Sequence, residues 1–149
     1  MKVIKKQIES QSEIEVEVRY AKMDSTVHGL IKRIEHFGRS IYGTDNGRQY
    51  KIQVGDIYYI ESVDKKTFIY TKEAVFRSEL RLYQLFEILK ETDFVQVSKF
   101  CIVNMDVMES IRTLPGSRME STLINGEKIN VSRTYLSEIK AAFIAKEDD

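Results

Sequence analysis

The chain has 149 residues, the size of one ordinary domain with a small addition, and 23 Lys and Arg balance 23 Asp and Glu to a formal net charge of zero. Its 42% hydrophobic and 31% charged residues, with one proline, describe a globular protein able to bury a core without metal or disulfide support. No apolar run approaches the roughly 20 residues that span a bilayer, the start Met1-Lys2-Val3-Ile4-Lys5-Lys6 lacks a signal segment, and the lone Cys101 rules out an internal disulfide, so a cytoplasmic location is expected.

Residues 13 to 20 alternate strictly, Glu13-Ile14-Glu15-Val16-Glu17-Val18-Arg19-Tyr20, which predicts a half-buried strand with a charged outer face. Asp24-Ser25-Thr26 is a helix start; Val27, Leu30, Ile31 and Ile34 follow at helical spacing, and Gly38 is a natural stop. This strand-helix unit, residues 1 to 40, is too small to stand alone and is expected to pack on the rest of the chain or on a second copy.

From residue 40 onward short strands dominate. Ile41-Tyr42 and Gln49-Tyr50-Lys51-Ile52 flank Asp45-Asn46-Gly47, a hairpin signal. Residues 57 to 61 read as a buried strand, Asp64-Lys65-Lys66 turns into a strand at Thr67-Phe68-Ile69-Tyr70, and Thr71-Lys72-Glu73 turns into Ala74-Val75-Phe76. Ser78 is expected to cap a helix carrying Leu82, Leu85, Phe86 and Leu89. Strands near 94 to 97 and 101 to 103 lead to a turn at Asn104-Met105-Asp106. A hairpin from Met108 to Leu114 and from Met119 to Ile124 closes over Pro115-Gly116-Ser117. Asn125-Gly126 turns into Lys128-Ile129-Asn130-Val131, and Ser132 begins a last helix with Leu136, Ile139 and Phe143 inward.

The usual marks of catalysis are missing. Gly43 and Gly47 bracket a hairpin with no helix behind it, unlike a phosphate-cradling loop. His28 and His36 are eight residues apart, about two helical turns, too far for a chelating pair. Cys101, within Phe100-Cys101-Ile102-Val103, reads as a buried small hydrophobe. No enzyme activity, cofactor or metal is expected. Zero net charge leans against nucleic-acid binding, yet Glu9, Glu13, Glu15 and Glu17 crowd one end and Glu147-Asp148-Asp149 the other, leaving room for a basic face between them.

Three ordered stretches carry a family resemblance. Val54-Gly55-Asp56-Ile57-Tyr58-Tyr59-Ile60-Glu61-Ser62-Val63-Asp64-Lys65-Lys66-Thr67 resembles the opening of a LytTR DNA-binding domain. Phe94 to Asn104 resembles its phenylalanine, basic-turn, valine-asparagine segment. Asn125-Gly126-Glu127 and Val131-Ser132-Arg133-Thr134-Tyr135 resemble its closing hairpin and serine-arginine-x-tyrosine helix start. The resemblance runs in register over about residues 45 to 143. It implies an α+β, predominantly antiparallel β fold over residues 41 to 149 with short helices, loops reaching into DNA grooves, and a homodimer on repeated sites. The absence of a receiver is similar to compact stand-alone regulators of the family, often encoded beside a membrane protein, and so implies a regulatory membrane-protein partner without membrane insertion.

The same resemblance implies the contacts. Arg133 suits guanine O6 and N7 or a phosphate, Lys99 reads a base, and Ser98 donates to phosphate. Lys65, Lys66 and Thr67 occupy a loop that relatives use on the groove or backbone, and Tyr135 serves core packing or a phosphate. Arg112 and Arg118 flank a hairpin and are further backbone candidates. Asn104 is expected to tie its turn rather than to touch DNA. Phe100 stands where many relatives carry a small hydroxyl residue, and Gln96 where an arginine is common. The competing reading is a protein-interaction module that regulates a membrane or sensor partner through the acidic segment at residues 13 to 20.

Overall fold

Ile57-Tyr58-Tyr59-Ile60 is apolar at four successive positions, so a strand built from it needs cover on both faces. The computed structural model, which describes residues 1–141, supplies that cover from two different layers. A seven-stranded antiparallel sheet runs in the order β2-β1-β5-β4-β3-β7-β6. Its strands are β1 (Ser40–Asp45), β2 (Arg48–Gln53), β3 (Ile57–Val63), β4 (Lys66–Thr71), β5 (Val75–Ser78), β6 (Phe94–Ser98) and β7 (Cys101–Asn104). A smaller sheet joins β8 (Met108–Leu114), β9 (Arg118–Leu123) and β10 (Lys128–Val131).

Helix α2 (Leu82–Leu89) covers one face of the large sheet, burying Leu82, Leu85 and Leu89 with Ile57, Ile60, Ile69 and Ile102. The small sheet and Ile139 cover the other, where Tyr59, Cys101, Val103, Met119, Leu123 and Val131 pack together. The one-residue alternation of strands explains the sorting: Ile60 and Ile102 face the helix, while Tyr59 and Val103 face the small sheet. Gly43 is buried in β1, where a β-carbon would stand 2.7 Å from Phe76 Cβ, so the approach of β5 requires glycine there.

The hairpin at Asp45-Asn46-Gly47 forms as expected: Asp45 pairs with Arg48, and Asn46 and Gly47 take the left-handed values, φ 53° and 77°, of a two-residue turn. Helix α1 (Ser25–Glu35) starts where expected, with the Asp24 carboxylate accepting from the Val27 amide at 2.8 Å. Its apolar residues Val27, Leu30, Ile31 and Ile34 are only half-buried. Lys32 reaches Asp93 at 3.9 Å and Arg33 reaches Asp106 at 3.7 Å, which fixes α1 near the start of β6 and the end of β7.

Two expectations are corrected. Residues 13 to 20 form no strand, and all but the half-buried Val18 are exposed; Ile14 is 91% and Val16 59% exposed. Alternation supplies a face but not a neighbour, and no strand among the described residues pairs with the segment. Ser78 does not cap a helix: it ends β5, its hydroxyl accepts from the Leu80 amide at 3.1 Å, and α2 begins at Leu82, where Gln84 accepts from the Arg81 amide at 2.8 Å. The last helix opens with a single tight turn, Arg133–Tyr135, and continues from residue 136; Ile139 is buried and Leu136 half-buried, while Phe143 lies outside the described residues. Among the described residues no helix is long and apolar enough to cross a membrane.

Candidate nucleic-acid interface

Strand registers decide which loops share an end of the sheet. The β3–β4 turn begins after Val63, which pairs with Lys66. Glu61 pairs with Cys101, and the Ser62 amide donates to the Phe100 carbonyl at 2.8 Å, so the β6–β7 turn stands beside the β3–β4 turn. On the other side Thr67 pairs with Ser78, which brings the end of β5 alongside Lys66. Thr44 pairs with Arg77, which adds the β1–β2 turn. Beyond the β6 edge, the Ser132 amide donates to the Val97 carbonyl at 2.8 Å and so sets Arg133 next to Ser98 and Lys99. Four strand spacings separate β5 from β6, about 19 Å across this end. Helix α1 sits at the opposite end, by Asp93 and Asp106.

The structure places the seven expected contact residues as follows. Arg133, Lys99, Lys65 and Lys66 are exposed, and among the described residues none of the four has a carboxylate within ion-pairing distance. The Arg133 guanidinium lies over the β8–β9 turn, with one terminal nitrogen 3.6 Å from where a β-carbon on Gly116 would stand. Ser98 is half-buried and its hydroxyl accepts from the Phe100 amide at 3.2 Å, which stiffens the turn under Lys99. Tyr135 is half-buried against the core shared by the two sheets. Thr67 departs from expectation. It lies inside β4 at 3% exposure, facing inward because Lys66, not Thr67, follows the two-residue turn.

The turn between β3 and β4 is unusual. Asp64 and Lys65 both adopt left-handed backbone, φ 51° and 65°, although neither is glycine. That geometry presents Lys65 at the tip. Lys65 and Lys66 line a shallow concavity of about 390 Å³ together with Thr44, Arg77 and Arg81. Arg77 and Arg81 also lack an ion-pair partner among the described residues. These two arginines escaped the sequence reading. They flank Ser78-Glu79-Leu80, and only the Thr67–Ser78 register reveals that they join the lysines. Arg112, by contrast, is held by Glu120 at 3.0 Å, and Arg118 Nε donates to the Pro115 carbonyl at 3.4 Å.

Side chains behind the strands add further ties, the first of them at the end of the sheet away from these turns. Asn104 is buried; its amide donates to the Ile57 carbonyl at 3.0 Å and its oxygen accepts from the Asp106 amide at 3.0 Å, the turn-tying role expected of it. Tyr59 and Tyr70 stack with centroids 4.2 Å apart, and the Tyr70 hydroxyl donates to Glu61 at 2.5 Å. Burial first, then the Glu61 carboxylate, push the Tyr70 hydroxyl up to about 12. Burial and then Glu127 push Tyr59 still further up. Cys101 is buried, and burial followed by Glu61 raises its thiol to about 12, so it packs as a small hydrophobe. His28 is exposed and His36 half-buried on and just after α1.

Cations without an ion-pair partner among the described residues gather along one end of this β scaffold, and known proteins share the fold. The fold matches a solved LytTr DNA-binding domain from Bacillus cereus with a TM-score of 0.66 at 21% identity, covering 69% of this chain and 94% of that one. The sequence is 29% identical to the sensory transduction protein LytT of Bacillus anthracis over 94% of this chain, which spans about half (52%) of that relative's length. It is 26% identical to an uncharacterized HTH-type transcriptional regulator of Staphylococcus aureus (strain NCTC 8325 / PS 47), over 88% of this chain and 90% of that protein. The model of the LytTr DNA-binding domain family matches residues 47–144. The chain therefore belongs to the LytTr DNA-binding domain family, which is not an enzyme class.

Proposed function

We propose that the chain is a sequence-specific, DNA-binding transcriptional regulator that works in the cytoplasm and binds duplex DNA through the loop-bearing end of its large sheet. The observation that carries the reading is the row of unpaired cations, Arg81, Arg77, Lys66, Lys65, Lys99 and Arg133, along one end of a family-typical fold. A protein of zero net charge gains no affinity for phosphate from its total charge, so the local arrangement must supply it. Arg133 and Lys99 then read base edges in a groove. Ser98, Lys65 and Lys66 anchor phosphates, and the Tyr135 hydroxyl is a further backbone donor. Loops take this role: α1 is followed by β1 and α2 by β6, so neither belongs to a helix-turn-helix pair. Relatives named as transcriptional regulators support the same assignment.

We further propose that the chain works as a homodimer on repeated sites, joined through residues 1 to 40. The exposed Ile14 and Val16 and the half-buried face of α1 support this, since both need cover and α1 lies away from the cations. A second reading keeps the acidic segment at residues 13 to 20 as the docking edge for a membrane or sensor partner; its unpaired alternation favours that equally. Selection of duplexes from a random pool, followed by gel-shift titration, tests the main reading. Enrichment of one sequence motif supports it. Binding that never discriminates one duplex from another overturns it.

A further inference from the structure

Strand β2 is an open edge of the seven-stranded sheet. β1 pairs with one side of it, and among the described residues no strand pairs with the other. Five of its six residues are exposed, and only Ile52 is buried. In an antiparallel pair alternate residues turn their backbone N–H and C=O groups away from the partner, so this edge offers a row of donors and acceptors to a further strand. Its two faces differ. Tyr50 lies on the same face as Ile52, two residues away, with its ring centroid 5.3 Å from that of Phe76. Gln49, Lys51 and Gln53 lie on the opposite face, and among the described residues no carboxylate is within ion-pairing distance of Lys51.

Residues 13 to 20 carry the complementary pattern. Ile14 and Val16 alternate with Glu13, Glu15 and Glu17, and all five are exposed. Arg19 holds Glu17 at 3.1 Å, which leaves Glu13 and Glu15 to meet a cation elsewhere. We propose that this segment of one chain adds as an eighth strand to the β2 edge of a second copy, and that the exchange is reciprocal. The proposal rests on the homodimer reading above and names the surface that receives the segment. Laid beside β2 as a strand, the segment sets Ile14 and Val16 on the face of Tyr50 and its carboxylates on the face of Lys51. A slip of one residue would set carboxylates against the ring, so the two faces fix the register while backbone hydrogen bonds supply the affinity. The other edges fit less well. β8 carries Glu109, and its Arg112 is held by Glu120 at 3.0 Å. Lys128 of β10 reaches the same Glu120 at 3.9 Å. The β6 edge is taken at Val97, whose carbonyl accepts from the Ser132 amide. Reciprocal exchange gives a closed two-fold dimer in which each copy both donates and receives one strand.

The test uses the full chain. Sedimentation over a range of concentrations finds where the chain becomes dimeric, and hydrogen exchange read by mass spectrometry is compared below and above that point. The amides of residues 13 to 20 and of β2 should gain protection together as the dimer forms. Lys51→Glu should weaken dimerisation about tenfold, since the repelled contact occurs twice in a reciprocal dimer. Adding Glu13→Lys and Glu15→Lys to that variant should restore most of the loss, which a merely structural defect at Lys51 would not allow. A dimer that forms without new protection in β2 overturns the inference and leaves the homodimer reading standing, and so does an unchanged dimer in Lys51→Glu. Protection of both segments that does not depend on concentration also overturns it, because the segment then sits on its own chain. A parent that is monomeric at every concentration ends the homodimer reading and this inference with it.

Discussion

The Ser132 amide donates to the Val97 carbonyl at 2.8 Å, and this single bond ties the end of β10 to the end of β6. It fixes Arg133 beside the Ser98–Lys99 turn although more than thirty residues separate them in sequence. Arg133→Ala should therefore weaken binding to the selected duplex by about 1–3 kcal/mol and blur preference at one base pair. Because the two side chains share a site, Arg133→Ala and Lys99→Ala should be non-additive in a double-mutant cycle measured by gel shift. Equal binding by Arg133→Ala and the parent removes Arg133 from the interface.

The cations around the β4–β5 concavity predict a different signature. Arg77→Ala and Arg81→Ala should lower affinity for all duplexes alike, since phosphate carries no sequence. Each should also flatten the dependence of log affinity on log salt by about 0.9. Titrations at several salt concentrations measure the slope. An unchanged slope in the double variant means that the concavity meets no phosphate.

Lys65 combines strain with charge, and the two effects have opposite signs. Its left-handed φ of 65° costs a non-glycine residue about 1 kcal/mol. Lys65→Gly should then raise stability to urea by up to about 1 kcal/mol while weakening DNA binding. A variant that loses both stability and binding would show that the turn is not strained at this position.

Which of these features the sequence reveals depends on how local their cause is. The Asn46-Gly47 turn, the Asp24 cap and the apolar run at Ile57 to Ile60 are set by neighbours in the chain, and all three are readable there. Arg133 and Lys99 can be singled out as candidates because family spacing carries them. Thr67 is misread because one residue more or less in a turn flips a side chain to the opposite face, and spacing alone does not count turn residues. Arg77 and Arg81 are missed because their link to Lys65 and Lys66 runs across strands. Residues 13 to 20 have the pattern of a strand but find no pairing strand among the described residues, which is information a pattern does not contain.

That unpaired segment makes the dimer reading testable. Ile14 and Val16 are exposed, so Ile14→Asp with Val16→Asp should leave the fold intact by circular dichroism. Sedimentation of the parent should give a dimer and of the double variant a monomer. A parent that sediments as a monomer rejects the homodimer. A variant that stays dimeric moves the interface away from residues 13 to 20.

Asn104 predicts stability without predicting affinity. Asn104→Ala would leave the Ile57 carbonyl and the Asp106 amide without their side-chain partner. The cost should be about 1–3 kcal/mol in urea unfolding. Below the melting range, DNA affinity should remain near that of the parent. A large affinity loss at full folding would instead give Asn104 a role at the interface.

The stacked tyrosines fix how the fold responds to alkali. Tyr70 ordinarily titrates near 10.0 and is pushed up to about 12 here, by burial and then by Glu61. Tyr59 moves the same way, and Cys101 rises from 9.0 to about 12. A folded state that holds protons more tightly than the unfolded chain loses stability once the unfolded groups begin to release theirs. These groups' contribution is therefore complete below about pH 9. It declines as pH rises, first against the unfolded thiol and then against the unfolded phenols; the shares of Cys101 and Tyr70 are lost as pH passes about 12, and that of Tyr59 later. Tyr70→Phe should flatten the decline between pH 10 and 12, while at neutral pH it removes the hydroxyl that Glu61 accepts from. Urea midpoints across pH 8 to 12, with tyrosinate absorbance followed in parallel, measure both effects. A midpoint that falls equally steeply in the parent and in Tyr70→Phe would show that Tyr70 is not among the groups that set alkaline stability.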